Sequence, residues 1–81
     1  MDHREEIRNY LKELLLQKGD KQPFSDDASL LLSGRLASVD AVEIVVFLEE
    51  EFAVDFAEIG FDQSLIDSVV AIDSLIQTVK R

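Results

Sequence analysis

The chain has no cysteine, no tryptophan, one histidine, one proline and three glycines among its 81 residues. Without cysteine there can be no disulfide and no Cys-based zinc site, and nothing points to an oxidising compartment. With His3 as its single histidine, the chain signals no nucleophile–base pairing. No apolar run approaches the roughly 20 residues that a membrane-spanning helix needs, and Met1–Glu6 is too charged for a secretory signal. Basic residues are also scarce: eight Lys and Arg against seventeen Asp and Glu, a formal net charge of -9. Nucleic acid would repel such a surface, whereas proteins with basic patches would be steered towards it. These absences predict one soluble, cytoplasmic, monomeric domain over residues 1–81, with no membrane span and no nucleic-acid partner.

What is present is helical periodicity. Between Leu36 and Phe52, Ala41, Ile44, Val45, Leu48 and Phe52 recur on one face at 3.6 residues per turn. The charges left over (Asp40, Glu43, Glu49, Glu50 and Glu51) are all acidic. Ser38 stands where the apolar run begins, so its hydroxyl is expected at or beside a helix N-terminus.

Upstream, Asp2 to about Lys18 predicts a first helix with a stripe of Ile7, Tyr10, Leu11, Leu14, Leu15 and Lys18. Asp2, Glu5 and Glu6 suit its N-terminal dipole, and Gly19 suits its C-terminal cap. Tyr10 on that stripe is expected in the core with its hydroxyl at the edge. From Asp20 to Ala37 the periodicity fails, and a loop this long must be functional or pinned. Leu30 and either Leu31 or Leu32 are expected to anchor it, as one helical turn. Asp26 and Asp27 lack the spacing of a calcium loop and fit a solvated turn or cap.

Downstream, Val54 and Phe56 are expected to alternate inward as an extended connector. Ala57 to Leu65 predicts a short irregular helix broken early by Gly60. The last helix is expected from near Ile66–Ser68 to Val79, striped by Val69, Ile72, Leu75 or Ile76, and Val79, with Lys80 and Arg81 against its C-terminal dipole. No helix of this length is stable alone, so the stripes must meet. The fold class is all-α: a small four-helix bundle with three longer helices, a short third helix and a long loop between the first two.

Ala37-Ser38-Val39-Asp40-Ala41-Val42-Glu43, followed by Phe47-Leu48-Glu49-Glu50-Glu51-Phe52, resembles the acyl carrier protein family. In that family an Asp-Ser-Leu motif opens the second helix, and its serine carries a 4′-phosphopantetheine arm. Ser38 matches that serine, Val39 stands in for the leucine, and Ala37 replaces the aspartate. The resemblance implies a carrier that holds an acyl or aminoacyl group as a thioester on the arm. It implies as partners a phosphopantetheinyl transferase and the enzymes that load and process the cargo. It is not expected to be an enzyme itself. Val39, Asp40, Val42, Glu43, Val46, Glu49 and Glu50 are the positions implied to meet those partners. Asp67-Ser68-Val69 and Asp73-Ser74-Leu75 mimic the same motif, but the first is expected to cap the last helix and the second to lie within it. The alternative reading is an acidic helical interaction module that is never modified, with Ser38 an ordinary cap.

Overall fold

The computed structural model describes residues 3–79, which are all-helical apart from their connections. Helix α1 spans His3–Gln17 and buries Ile7, Leu11, Leu14 and Leu15. Tyr10 is half-buried beside that stripe, stacked on Phe47 at 3.9 Å, and its hydroxyl donates to the Glu43 carbonyl at 2.9 Å. Glu5 and Glu6 occupy the first turn as expected; Asp2 lies outside the described residues. At the other end the Gly19 amide donates to the Leu16 carbonyl and the Asp20 amide to the Leu15 carbonyl. That paired closure turns on the positive φ of +83° at Gly19, where a Cβ would be strained. Lys18 falls just past the helix, with its ammonium reaching Asp40 at 2.8 Å.

The connection to the next helix has no regular structure, yet it is pinned throughout. Leu30, Leu31 and Leu36 enter the core, while Leu32 is 67% exposed. The expected helical turn is instead an isolated hydrogen-bonded turn, closed by the Gly34 amide on the Leu31 carbonyl with Gly34 at φ +89°. The left-handed glycine stops the turn from propagating. Asp67 holds the same stretch from outside: its carboxylate accepts from the Leu31 and Leu32 amides at 2.7 and 2.9 Å, and its carbonyl accepts from Leu30. Asp26 is not a merely solvated turn residue. Its carboxylate accepts two bonds from Arg8, at 2.6 and 3.0 Å, and its carbonyl accepts from Val70.

Helix α2, Ser38–Phe52, buries Ala41, Ile44, Leu48 and Phe52 and ends at Ala53, whose φ of 56° is left-handed for a residue with a Cβ. Val54 and Phe56 turn inward as the alternation predicts. The expected third helix over 57–65 is divided. Helix α3 covers only Phe56–Ile59, capped by Asp55, and a single 3-10 turn covers Gln63–Ile66, capped by Asp62. Gly60 at φ +82° ends the first piece, and the Asp62 carboxylate on the Ser64 amide starts the second. Helix α4, Val69–Val79, buries Val69, Ile72, Leu75 and Ile76. It starts later than expected because Asp67 is committed to the loop, leaving Ser68 to cap it through the Ala71 amide at 3.1 Å. Lys80 and Arg81 lie outside the described residues.

The stripes of α1, α2 and α4 meet in one core that also takes in the loop leucines and the α3 segment. Helices α1 and α4 are further tied by the Arg4 guanidinium on the Asp73 carboxylate, at 3.2 Å, to which Gln77 also donates. Among the described residues no helix is long and apolar enough to cross a membrane.

Candidate functional site

The geometry at the head of α2 follows from which residue caps it. Ala37 occupies the cap position in an extended conformation, and alanine has no side-chain acceptor to offer. The orphan amides of a helix start must find partners, and here a carboxylate inside the first turn supplies one. Asp40, three residues on, reaches back to accept from the Ala37 amide at 2.7 Å, and the same oxygen accepts from the Lys18 ammonium at 2.8 Å. Burial pushes the Asp40 carboxyl up, but the Lys18 ammonium and the Ala37 amide outweigh it and hold it below the ordinary carboxylate range.

Asp40 is thus a correction to the sequence reading. It was expected among the outward, partner-meeting residues and is only 5% exposed, turned against the end of α1. A carboxylate at the third helical position can fold back on its own helix start, and Lys18 makes that inward state favourable.

Ser38 lies one position past the cap residue and has no capping duty. It is the first helical residue, it is exposed, and among the described residues its hydroxyl has no hydrogen-bond partner. Beyond it α2 presents an outward apolar strip of Val39 and Val42, 65% and 62% exposed, with the less exposed Val46. At 3.6 residues per turn, Glu43 and Glu50 stand exposed on one side of that strip and Glu49 on the other.

The structure brings Ser38, Val42 and Val46 together with stripe residues of α2, with Phe56, and with two residues that periodicity did not single out, Phe61 and Gln63. They line a groove of about 370 Å³ between α2 and the α3 region, whose other walls are Ala41, Val45, Phe56, Phe61 and Gln63. Phe61 is half-exposed and meets Phe56 edge-on, with ring centroids 6.1 Å apart. The one signal available in sequence was the pair Val42 and Val46, apolar and off the core stripe. Phe61 and Gln63 gave none, because they follow the break at Gly60, outside any regular helical repeat.

The two competing serines are placed differently. Ser68 caps α4, and Ser74 lies in the middle of α4, exposed but far from any helix end. Asp27 accepts from the Ser25 hydroxyl at 2.7 Å, and among the described residues no group of three or more His, Cys, Asp or Glu side chains is gathered to hold a metal. The chain matches no known family, no curated protein and no solved structure closely enough to lend it a function.

Proposed function

We propose that the protein is a carrier in which Ser38 bears a 4′-phosphopantetheine arm and α2 presents the cargo to partner enzymes. One observation carries this reading: an exposed serine with an uncommitted hydroxyl, at the first position of a helix, opening onto an apolar groove. Such a hydroxyl is open to a second protein, and a capping hydroxyl is not. The free amides and dipole of the helix start favour the negative phosphodiester that attachment would create.

In that reaction the Ser38 oxygen bonds to phosphorus of coenzyme A, the adenosine bisphosphate half departs, and a transferase takes the hydroxyl proton. The arm supplies the terminal thiol that this cysteine-free chain lacks, and holds an acyl or aminoacyl group as a thioester. The chain's own residues do the rest. Val42, Val46, Phe56 and Phe61 shelter apolar cargo, while Glu43, Glu49 and Glu50 steer partners with basic patches. Asp40 serves from the inside, holding Ala37 and hence the turn that bears Ser38. The protein performs no bond-making chemistry by itself.

A second reading, an unmodified interaction module, is favoured by Ala37 alone, since no carboxylate precedes Ser38 for a transferase to contact. Intact-protein mass after incubation with coenzyme A, magnesium and a broad-specificity transferase separates the two. A gain of one phosphopantetheinyl group that disappears in Ser38→Ala is the expected result. A gain only in Ala37→Asp would show that the transferase needs the missing carboxylate. No gain in either, with the helical fold intact, would favour the interaction module over the carrier.

A further inference from the structure

A second groove, of about 320 Å³, runs between α1 and the start of the loop that follows it, and it shares no lining residue with the groove at Ser38. Its apolar surface comes from Leu15, from Leu16 at the helix rim, and from Pro23 and Phe24. Its charged lining is the reverse of the protein's overall balance. Arg8 (already bound to Asp26), Lys12 and Lys21 line it, with Asp20 as the one lining carboxylate. That carboxylate is taken up by Arg35, which donates to both its oxygens at 3.1 Å. Arg35 also donates to the Gln22 and Pro23 carbonyls and lies over the Phe24 ring at 6.0 Å, so the loop wall is braced. Half of the chain's eight basic residues are thus gathered in and behind this groove, Arg8 and Arg35 paired with Asp26 and Asp20. Among the described residues Lys12 and Lys21 have no hydrogen-bond or ion-pair partner.

We infer that this groove is a docking site for an acidic peptide segment that inserts one bulky apolar side chain and flanks it with carboxylates. The groove lies at the small end of ligand clefts, which run to roughly 300–1,000 Å³, and so suits a side-chain anchor. Lys12 and Lys21 then pair with the flanking carboxylates. An anion alone would gain little from two solvent-exposed lysines, so the apolar anchor and the charges act together. An anionic membrane is disfavoured, because such surfaces are read by clusters of about 4–8 basic residues, and among the described residues Lys12 and Lys21 are the two cations of this groove left to read one. Because the two grooves are separate, a partner held here leaves the mouth of α2 open. The inference does not depend on modification of Ser38.

The test is a titration of the full chain, followed by amide chemical shifts, with a synthetic unstructured peptide carrying one Leu and one Phe among glutamates. The expected result is a set of shifts centred on Lys12, Leu16, Lys21 and Phe24. Affinity is expected to fall about tenfold in Lys12→Glu/Lys21→Glu and in high salt, as loss of two rim ion pairs predicts, and to be unchanged in Ser38→Ala. A peptide with Leu and Phe replaced by Ala should not bind. Failure to bind, shifts confined to the α2 groove, or full affinity in the charge-reversed variant would each overturn the proposal. So would the same shifts arising with phosphatidylglycerol vesicles but not with the peptide, or from dimerisation.

Discussion

Two helix starts in this chain look alike in sequence and behave oppositely. Helix α2 opens through Ala37-Ser38-Val39 and α4 through Asp67-Ser68-Val69. At α4 the serine is the cap, its hydroxyl accepting from the Ala71 amide, while Asp67 is committed to the distant loop. At α2 the serine has moved one position into the helix, the cap position falls to Ala37, and Asp40 accepts from that residue's own amide. The lesson concerns division of labour. A serine at a helix start keeps its hydroxyl for chemistry when it stands inside the cap position rather than on it. Asp40, held inward by Lys18, fixes the cap residue just ahead of Ser38.

Substitutions at these two starts should separate structural from functional roles. The largest effect is expected at Asp67→Ala, which frees the Leu31 and Leu32 amides from a charged acceptor. A loss of about 2–3 kcal/mol is expected, read by chemical denaturation, with raised amide exchange across residues 30–32. Asp40→Asn should cost about 1–2 kcal/mol, because Lys18 loses its counter-charge and the Ala37 amide exchanges a charged acceptor for a neutral one. If Asp40 were idle, that variant would match the parent in denaturant midpoint.

Acid should distinguish the two starts as well. Asp40 and Asp67 both have folded pKa values below the ordinary one; in each case burial raises it, and the partners' hydrogen bonds outweigh burial. A depressed folded value means that the unfolded chain binds more protons in this range, so stability rises with pH there. The contribution is complete above the unfolded value of about 3.9 and is lost as pH falls through the depressed folded values. The hydroxyl cap at Ser68 does not titrate. Amide exchange followed below pH 4 should therefore open Ala37 and Leu31 before Ala71, and the reverse order would refute the assignment of caps.

The smallest pair of effects is the most telling. Ser68→Ala should cost about 1 kcal/mol, as loss of a serine cap does. Ser38→Ala should stay within about 0.5 kcal/mol of the parent, while abolishing any modification. Equal losses at the two serines would mean that Ser38 also caps, and would remove the main support for the carrier reading.

Much of the fold was legible before any coordinates. Ile7, Leu11, Leu14 and Leu15 on α1, and Ala41, Ile44, Leu48 and Phe52 on α2, are buried where their spacing put them. Gly19 ends α1, and Val54 and Phe56 point inward as their alternation implies. The candidate site was only partly legible. The position of Ser38 at a helix start, and the exposure of Val39, Val42, Val46, Glu43, Glu49 and Glu50, agree with the pattern. Asp40 and the walls at Phe61 and Gln63 do not follow from it. A helical repeat states which residues share a face, but not whether a carboxylate at the edge of that face will find a cation.

By itself, then, the amino-acid sequence determined where three long helices run, which stripes they bury, and that the surface would be acidic. Those properties depend on residues within a few positions of each other, where turn geometry and amphipathic spacing act. Tertiary structure alone decided that Asp40 faces Lys18, that Asp67 clamps the loop 36 positions away at Leu31, and that Leu32 is left outside. It also decided that α2 and the α3 region enclose a groove beside Ser38. Each of these requires segments distant in the chain to meet, and the free energy of a buried ion pair or hydrogen bond exists only once they have.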